Sequence, residues 1–490
     1  MFELVRNMDI LKLFRLIRKI NNYKGTTQGI ETSKDEVTAE DKKDVEDLLH
    51  ALKLTSKTWR ANNHHYQIIK YEKLGMTYDM YNAIGIFRSI VLDDTGRVVA
   101  FSPPKSLYPN EAVIDNINKN YIGKSDGSNE WHVEEFVEGT MINMFFQPNE
   151  EQEGGGVWEL ATKSTVGAKV SFFANFNKSG KQESVPITIN DTFRHMFLDA
   201  CNKIGFEFDT LPKDYMYSFV LQHPRNRIVS PIKKASIYVT AVYKVNQDTL
   251  EVTDITYSNT IDWNSLNVKK PQMYQIDLNN VENTSNIVEY FKNKYTTMNS
   301  PYYIVGLMFR NQLTGERVKF RNASYEMVKS LRGNQPKLQY QYLALRQEGK
   351  VGEYLKYFPE HKKEFQIFRN QLHAYTKNLH QNYVECYVKK TKPLNEYPKH
   401  FRTHMFSLHQ IYLNELREQK LPLTIQRAIE YINTQHPAKQ MYTLNFTMRK
   451  QIIEEERAML DEKEHMEAHG FEGEGVDSKE IDVTDNKGDN

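Results

Sequence analysis

The chain has 490 residues, of which 39% are hydrophobic and 26% charged, with a formal net charge of +1. At about 150 residues per domain this length predicts two to three domains, and no stretch approaches the ~20 consecutive apolar residues of a membrane-spanning helix, which excludes a helical integral membrane protein. Two cysteines, Cys201 and Cys386, build neither a disulfide framework nor a cysteine-rich zinc site, so an intracellular, reducing compartment is expected.

Residues 2–20 space Leu4, Met8, Leu11, Phe14, Ile17 and Ile20 helically among Arg6, Lys12, Arg15, Arg18 and Lys19. This mixed helix is expected to pack on the body or on a partner, with membrane-surface attachment as the alternative. Residues 21–45 lack apolar periodicity and read as a linker, so 1–49 forms an N-terminal helix and linker. From 50 to 325 the pattern changes to short β-branched and aromatic runs such as IGIFRSIVLD, WHVEEFV, TMINMFFQ, YMYSFVLQ and YYIVGLMFR, separated by Gly, Pro, Asn and Asp. These predict a mostly antiparallel α+β domain. Over 326–455 the strand signals stop, and Phe365, Phe368, Leu372, Tyr375 and Leu379 recur at steps of three and four, as do Phe401, Met405, Leu408 and Tyr412. A helical domain with basic outer faces follows. The last segment, 456–490, is rich in Gly, Glu and Asp and reads as a disordered acidic tail.

The near-neutral total conceals a segregation of charge. Residues 321–450 hold 22 Lys and Arg against 10 Glu and no Asp, whereas 451–490 hold 4 against 14 acidic residues. A basic block of this size predicts a polyanionic partner, which the tail shields or merely keeps soluble. Within the block, Tyr and His interleave with Lys over 336–410, a composition suited to stacking on unpaired RNA bases, and Lys399 with Arg402 suggest a phosphate-facing helix. His400 and His404 share a helix face, but no Cys, Asp or Glu completes a ligand set nearby, and no metal is assigned.

Three segments carry a resemblance. Residues 81–110, YNAIGIFRSIVLDDTGRVVAFSPPKSLYPN, form two strands joined at a DDTG turn, with Arg88 on the first strand and Lys105 in a proline-stiffened loop. Residues 217–231 read YSFVLQHPRNRIVSP, and residues 306–325 read GLMFRNQLTGERVKFRNASY. In this order they resemble motifs of the phage-type ATP-dependent RNA ligases of the tRNA-repair branch. The stretches RVKFRNASYE and LRGNQPKLQYQYLALR are similar to ligase-like proteins of large DNA viruses. The resemblance implies a nucleotidyltransferase (ATP-grasp-like ligase adenylylation) domain of antiparallel sheets at 50–325, followed by an all-α domain. It also implies ATP and Mg²⁺ as cofactors if the protein is active, and RNA as partner.

Residue by residue, the basic positions of the family motifs are present. Arg88 matches the family arginine, Lys105 the loop lysine, Lys319 and Arg321 the last paired lysines, and Lys163 a phosphate-facing position after the following strand. The acidic positions are not, since Val220 and Val305 stand where the family has glutamate, and valine ligates no metal. FVEGT at 136–140 has the structural context of the nucleophile motif, with Phe136 in place of lysine before Glu138 and Gly139. KSDGS at 124–128 matches that motif literally, making Lys124 the candidate nucleophile in a loop-like setting. Three readings follow: a catalytically degenerate ligase-like protein holding nucleotide or RNA phosphates, an active RNA ligase using Lys124, and a structural or assembly protein whose helical domain binds a protein partner. The leading reading expects Arg88, Lys105, Lys163 and Lys319 in one cleft, with Phe136 beside them over an apolar floor of Val220 and Val305.

Overall fold

A computed structural model of the chain describes residues 2–21, 37–72, 80, 84–122, 131–149, 155–170, 192–275, 286–297, 299–335 and 337–451. The chain divides into two compact units, the first comprising Met1–Asn175, Val185–Gln341 and Gly352–Phe358, the second Phe176–Ser184, Tyr342–Val351 and Pro359–Asn490. The acidic tail at 456–490 and most of the 21–45 linker lie outside the described residues.

The first unit is built on three antiparallel sheets, as the alternating runs predict. Strands β1 (Phe2–Glu3), β2 (Leu54–Ala61), β3 (His64–Tyr71), β4 (Ile90–Asp93), β5 (Val98–Phe101), β6 (Trp131–Glu135) and β7 (Thr140–Pro148) come first in the chain. They are followed by β8 (Gly156–Ala161), β9 (Met216–Gln222), β10 (Ser236–Val245), β11 (Glu251–Asp254), β12 (Met273–Tyr274), β13 (Gly306–Asn311) and β14 (Arg317–Arg321). The sheets are ordered β1-β11-β10-β9-β7-β8, β12-β6-β13-β14 and β2-β3-β4-β5.

The DDTG turn joins β4 to β5 as expected. The Asp93 carboxylate accepts from Thr95 N, Thr95 Oγ1 and Arg97 N, and Gly96 takes φ +85°. Arg88 sits just ahead of β4 instead of on it, in a tight turn where its N–H donates to Ile86 O at 2.8 Å.

Strand alternation decides what each sheet face does. In β14, Val318 and Phe320 enter a core with Trp131, Val133, Leu307 and Phe309, closed by α3 (Glu111–Ile122) and α5 (Ile287–Tyr295). Arg317, Lys319 and Arg321 therefore project from the other face. In β9, Tyr217, Phe219 and Leu221 pack under α4 (Phe193–Ile204), which sends Met216, Ser218 and Val220 to the opposite side. The cationic face of one sheet and the Val220 face of the other enclose the cleft described below.

The N-terminal region departs from the linker expectation. Helix α1 (Met8–Ile20) buries Ile10, Leu13, Phe14 and Ile17 in a core shared with β3, β4, β10 and β11, so it docks on its own unit. Residues assigned to the linker form a second helix, α2 (Ala39–Ala51). It begins at a capping box, in which Thr38 Oγ1 accepts from Asp41 N and the Asp41 carboxylate accepts from Thr38 N, and it is pinned by buried Val45 and Leu49. The residues 1–49 are thus part of the first unit and not a separate segment.

The C-terminal region is helical: α6 (Ala323–Arg332), α7 (Leu338–Gln347), α8 (Val351–Tyr357), α9 (Lys362–Tyr383), α10 (Lys399–Ile411), α11 (Ile425–Thr434) and α12 (Pro437–Leu444). In the second unit the expected stripe of Phe365, Phe368, Leu372, Tyr375 and Leu379 is buried, as are Phe401, Met405 and Leu408. Tyr375 stacks on Phe401 at 4.8 Å and Tyr387 on His409 at 3.9 Å. The contacts advance together along both helices, so α9 and α10 run parallel. Each ends in a π-helical turn, Val384–Val388 and Tyr412–Leu416. Among the described residues no helix is long and apolar enough to cross a membrane.

Candidate functional site

A cleft of ≈ 310 Å³ opens in the first unit between the six-stranded sheet and the β12-β6-β13-β14 sheet. It is lined by six cations, Arg88, Lys105, Lys163, Arg317, Lys319 and Arg321, against two carboxylates, Glu134 and Glu135. Arg317, Lys319 and Arg321 are there because their alternate neighbours are core residues. Lys105 follows Pro103 and Pro104, and its N–H is tied to Gly85 O at 3.0 Å, which fixes the loop beside the Arg88 turn.

The cations are close enough to disturb one another. Burial, then the charges of Arg321, Lys105, Lys329 and Arg88, pushes the Lys319 ammonium down to about 8. Burial and the Arg317 guanidinium bring Arg88 down to about 10. Lys105 is lowered by burial and Arg88, and Lys329 by burial and Arg321. Lys319 Nζ lies 4.0 Å from the Tyr108 ring centroid and donates to Ser106 O at 3.3 Å, while Lys163 Nζ lies 4.8 Å from the Tyr71 ring centroid. Arg321 pairs with Glu326 at 2.6 Å and sits 5.5 Å from the Phe136 ring centroid. Like charges gathered in a half-buried cleft destabilise the free protein, and an anion binding among them relieves that repulsion.

Of the residues singled out from sequence, the fold brings Arg88, Lys105, Lys163, Lys319 and Arg321 into this cleft together with Phe136, Gly139 and Val220. Gly139 is required where it stands: at φ +151° an added Cβ would lie 2.4 Å from Leu221 O. Val305 is not in the floor. It shares the strand parity of Leu307 and Phe309, is buried, and gives its carbonyl to Asn322 N, so Met141, Met308 and Val220 supply the apolar surface instead. Glu138 also points elsewhere. Its buried carboxylate accepts from Val229 N at 2.5 Å and Ser230 N at 2.8 Å, clamping the loop after β9. Lys124 lies outside the described residues.

Glu134 and Glu135 line the cleft and are the residues that sequence reasoning missed. WHVEE reads as a half-buried strand, and the signal available was parity: Trp131 and Val133 face the core, so Glu134 faces the cleft. Burial raises the Glu134 carboxyl, against the pull of Arg310, and Tyr257 Oη donates to it at 2.5 Å. Beneath it Arg310 is held by Asp254 at 2.5 Å and Thr240 O at 2.7 Å. Glu134 is thus committed to a buried hydrogen bond, which leaves Glu135 as the second acidic group on the wall. No cluster of three His, Cys, Asp or Glu suited to a metal ion occurs among the described residues. His404 places its ring nitrogens 2.9 Å from Tyr431 Oη and 3.3 Å from Thr443 Oγ1, and burial pushes its pKa down to about 4.

No protein-family model matches the chain. A protein of Invertebrate iridescent virus 6 named "Immediate-early protein ICP-46 homolog" is 26% identical over 322 residues, which is 63% of this chain. The chain spans 64% of the length of that viral relative.

Proposed function

We propose that the chain is a viral protein with an RNA-ligase-like nucleotidyltransferase fold, catalytically degenerate, whose cleft holds the phosphates of a nucleotide or of an RNA end inside the infected cell. The observation that carries this reading is the convergence of Arg88, Lys105, Lys163, Lys319 and Arg321 on one cleft in which Phe136 occupies the lysine position of the resembled motif. Cations at these positions suit phosphoryl oxygens, which spread negative charge over several acceptors. Phe136 presents a ring and no amine, so it forms no covalent bond to a nucleotide.

The groups that the resemblance implies fit unequally. The phosphates of ATP match the donor set, whereas Mg²⁺, which prefers carboxylate and water oxygens in an octahedron, finds Glu134 already engaged by Tyr257 and Arg310. Viral origin is supported by the likeness to the iridescent-virus protein.

The test is incubation of the full chain with α-labelled ATP and Mg²⁺, read by native filter retention and by denaturing electrophoresis. Retention without a covalent band is expected. A covalent band lost in Lys124→Ala would replace this reading with an active ligase, and absence of retention would leave the structural class.

A further inference from the structure

We propose that the outer face of α10, centred on Phe406 and flanked by Lys399 and Arg402, is a stacking strip for single-stranded RNA in the second unit. Helix α10 buries Phe401, His404, Met405 and Leu408 along one side. At 3.6 residues per turn the opposite side carries Lys399, Arg402, Phe406 and Gln410, one turn of about 5.4 Å apart. Phe406 is 53% exposed, the one phenylalanine among the exposed large hydrophobic side chains of the described residues. The sequence of the helix, KHFRTHMFSLHQI, contains no acidic residue, and residues 359–451 hold 15 Lys and Arg against 7 Glu and no Asp.

The edge of the strip is aromatic as well. His409, half-buried, lies face to face with Tyr387 at 3.9 Å and continues to Tyr412 at 5.9 Å, and these rings sit at the two π-helical turns that end α9 and α10. π-Helical turns are uncommon and recur at functional positions. The His409 Nδ1 has no hydrogen-bond partner among the described residues.

The chemistry selects the occupant. A protein interface is centred on a contiguous apolar patch, whereas here the exposed ring follows two cations on the same face, Arg402 one turn and Lys399 two turns before it. A single strand offers this alternation, with bases to stack on the ring and phosphates to meet the cations. Thr403 and Gln410 on the same face supply hydrogen-bonding groups that suit a 2′-hydroxyl. The strip is separate from the cleft of the first unit and stands or falls independently of the reading given to that cleft.

The experiment titrates the full chain against fluorescein-labelled oligo(U) by anisotropy, with oligo(dT) and polyphosphate as companion probes. Phe406→Ala, at an exposed position, is expected to keep the far-ultraviolet circular dichroism of the natural chain and to weaken oligo(U) by about 5- to 150-fold, the range for removing one stacked base, while leaving polyphosphate unchanged. Lys399→Gln should weaken both probes and reduce the salt slope by about 0.7. Arg88→Gln, in the cleft, should leave the Phe406 effect intact. The proposal is overturned if Phe406→Ala binds oligo(U) like the natural chain, or if oligo(U) fails to bind even at low salt, the outcome expected of a protein-docking face. Equal affinity for oligo(dT) would overturn the assignment to RNA.

Discussion

Replacing Lys319 by methionine should stabilise the first unit while weakening its hold on anions. The unfolded chain keeps the Lys319 proton up to about 10.5, and the folded chain releases it near 8. Charging this side chain therefore opposes folding at neutral pH. At about 1.4 kcal/mol per pH unit the cost is at most about 3–4 kcal/mol, and solvent reaching the partly exposed amine reduces it to about 1–2 kcal/mol. Methionine keeps the length of the chain and removes the charge, so Lys319→Met should gain about 1–2 kcal/mol at pH 7. Between pH 8 and 10.5 the unfolded state binds the extra proton, so the natural protein grows more stable with pH and the gap should close.

Urea unfolding followed by tryptophan fluorescence reads this directly, because Trp59, Trp131, Trp158 and Trp263, the four tryptophans of the chain, all fall in the first unit. Inorganic phosphate should stabilise the natural chain more than the variant, by the linkage between binding and folding. A variant that is less stable at pH 7, or a gap that does not change between pH 7 and 10.5, would refute the idea that the cations strain the free cleft.

Three further substitutions have definite outcomes in the same fluorescence assay. Gly139→Ala forces a Cβ against Leu221 O at a positive φ and should cost more than about 3 kcal/mol. Glu138→Ala removes the acceptor of two backbone N–H groups in the loop after β9 and should cost about 3 kcal/mol, with Glu138→Gln recovering part of the loss. Arg310→Ala strands Asp254 in the interior and should cost about 3–5 kcal/mol.

Much of the cleft was legible because period-two alternation reports which side chains share a face. Arg317, Lys319 and Arg321 interleave with Val318 and Phe320, so once the apolar pair is assigned to the core the cations must be together. Alternation cannot say which sheet a face meets, and this is why Glu134 was not recognised as part of the wall: its surroundings come from residues far along the chain, including Arg310 and Tyr257, the latter 123 positions away. Val305 shows the sensitivity of such reasoning, since it precedes β13 by one residue and parity turns it to the core. Helix α2 was hidden for a different reason. AEDKKDVEDLLHA is so charged that its short apolar stripe is inconspicuous, and the Thr38–Asp41 box is the local signal that marks its start. Glu138 took its role from a loop that folds back from beyond β9, a contact between residues 91 positions apart.

The most direct test of the cleft as a phosphate site is calorimetric titration of the full chain with ATP, without metal, for the natural protein and for Arg88→Gln. Saturable binding to the natural chain is expected, with affinity at least tenfold lower in the variant, about the worth of one charge-assisted hydrogen bond. Equal affinity for the two proteins, or no heat of binding to the natural chain, would contradict the assignment of this cleft to phosphates.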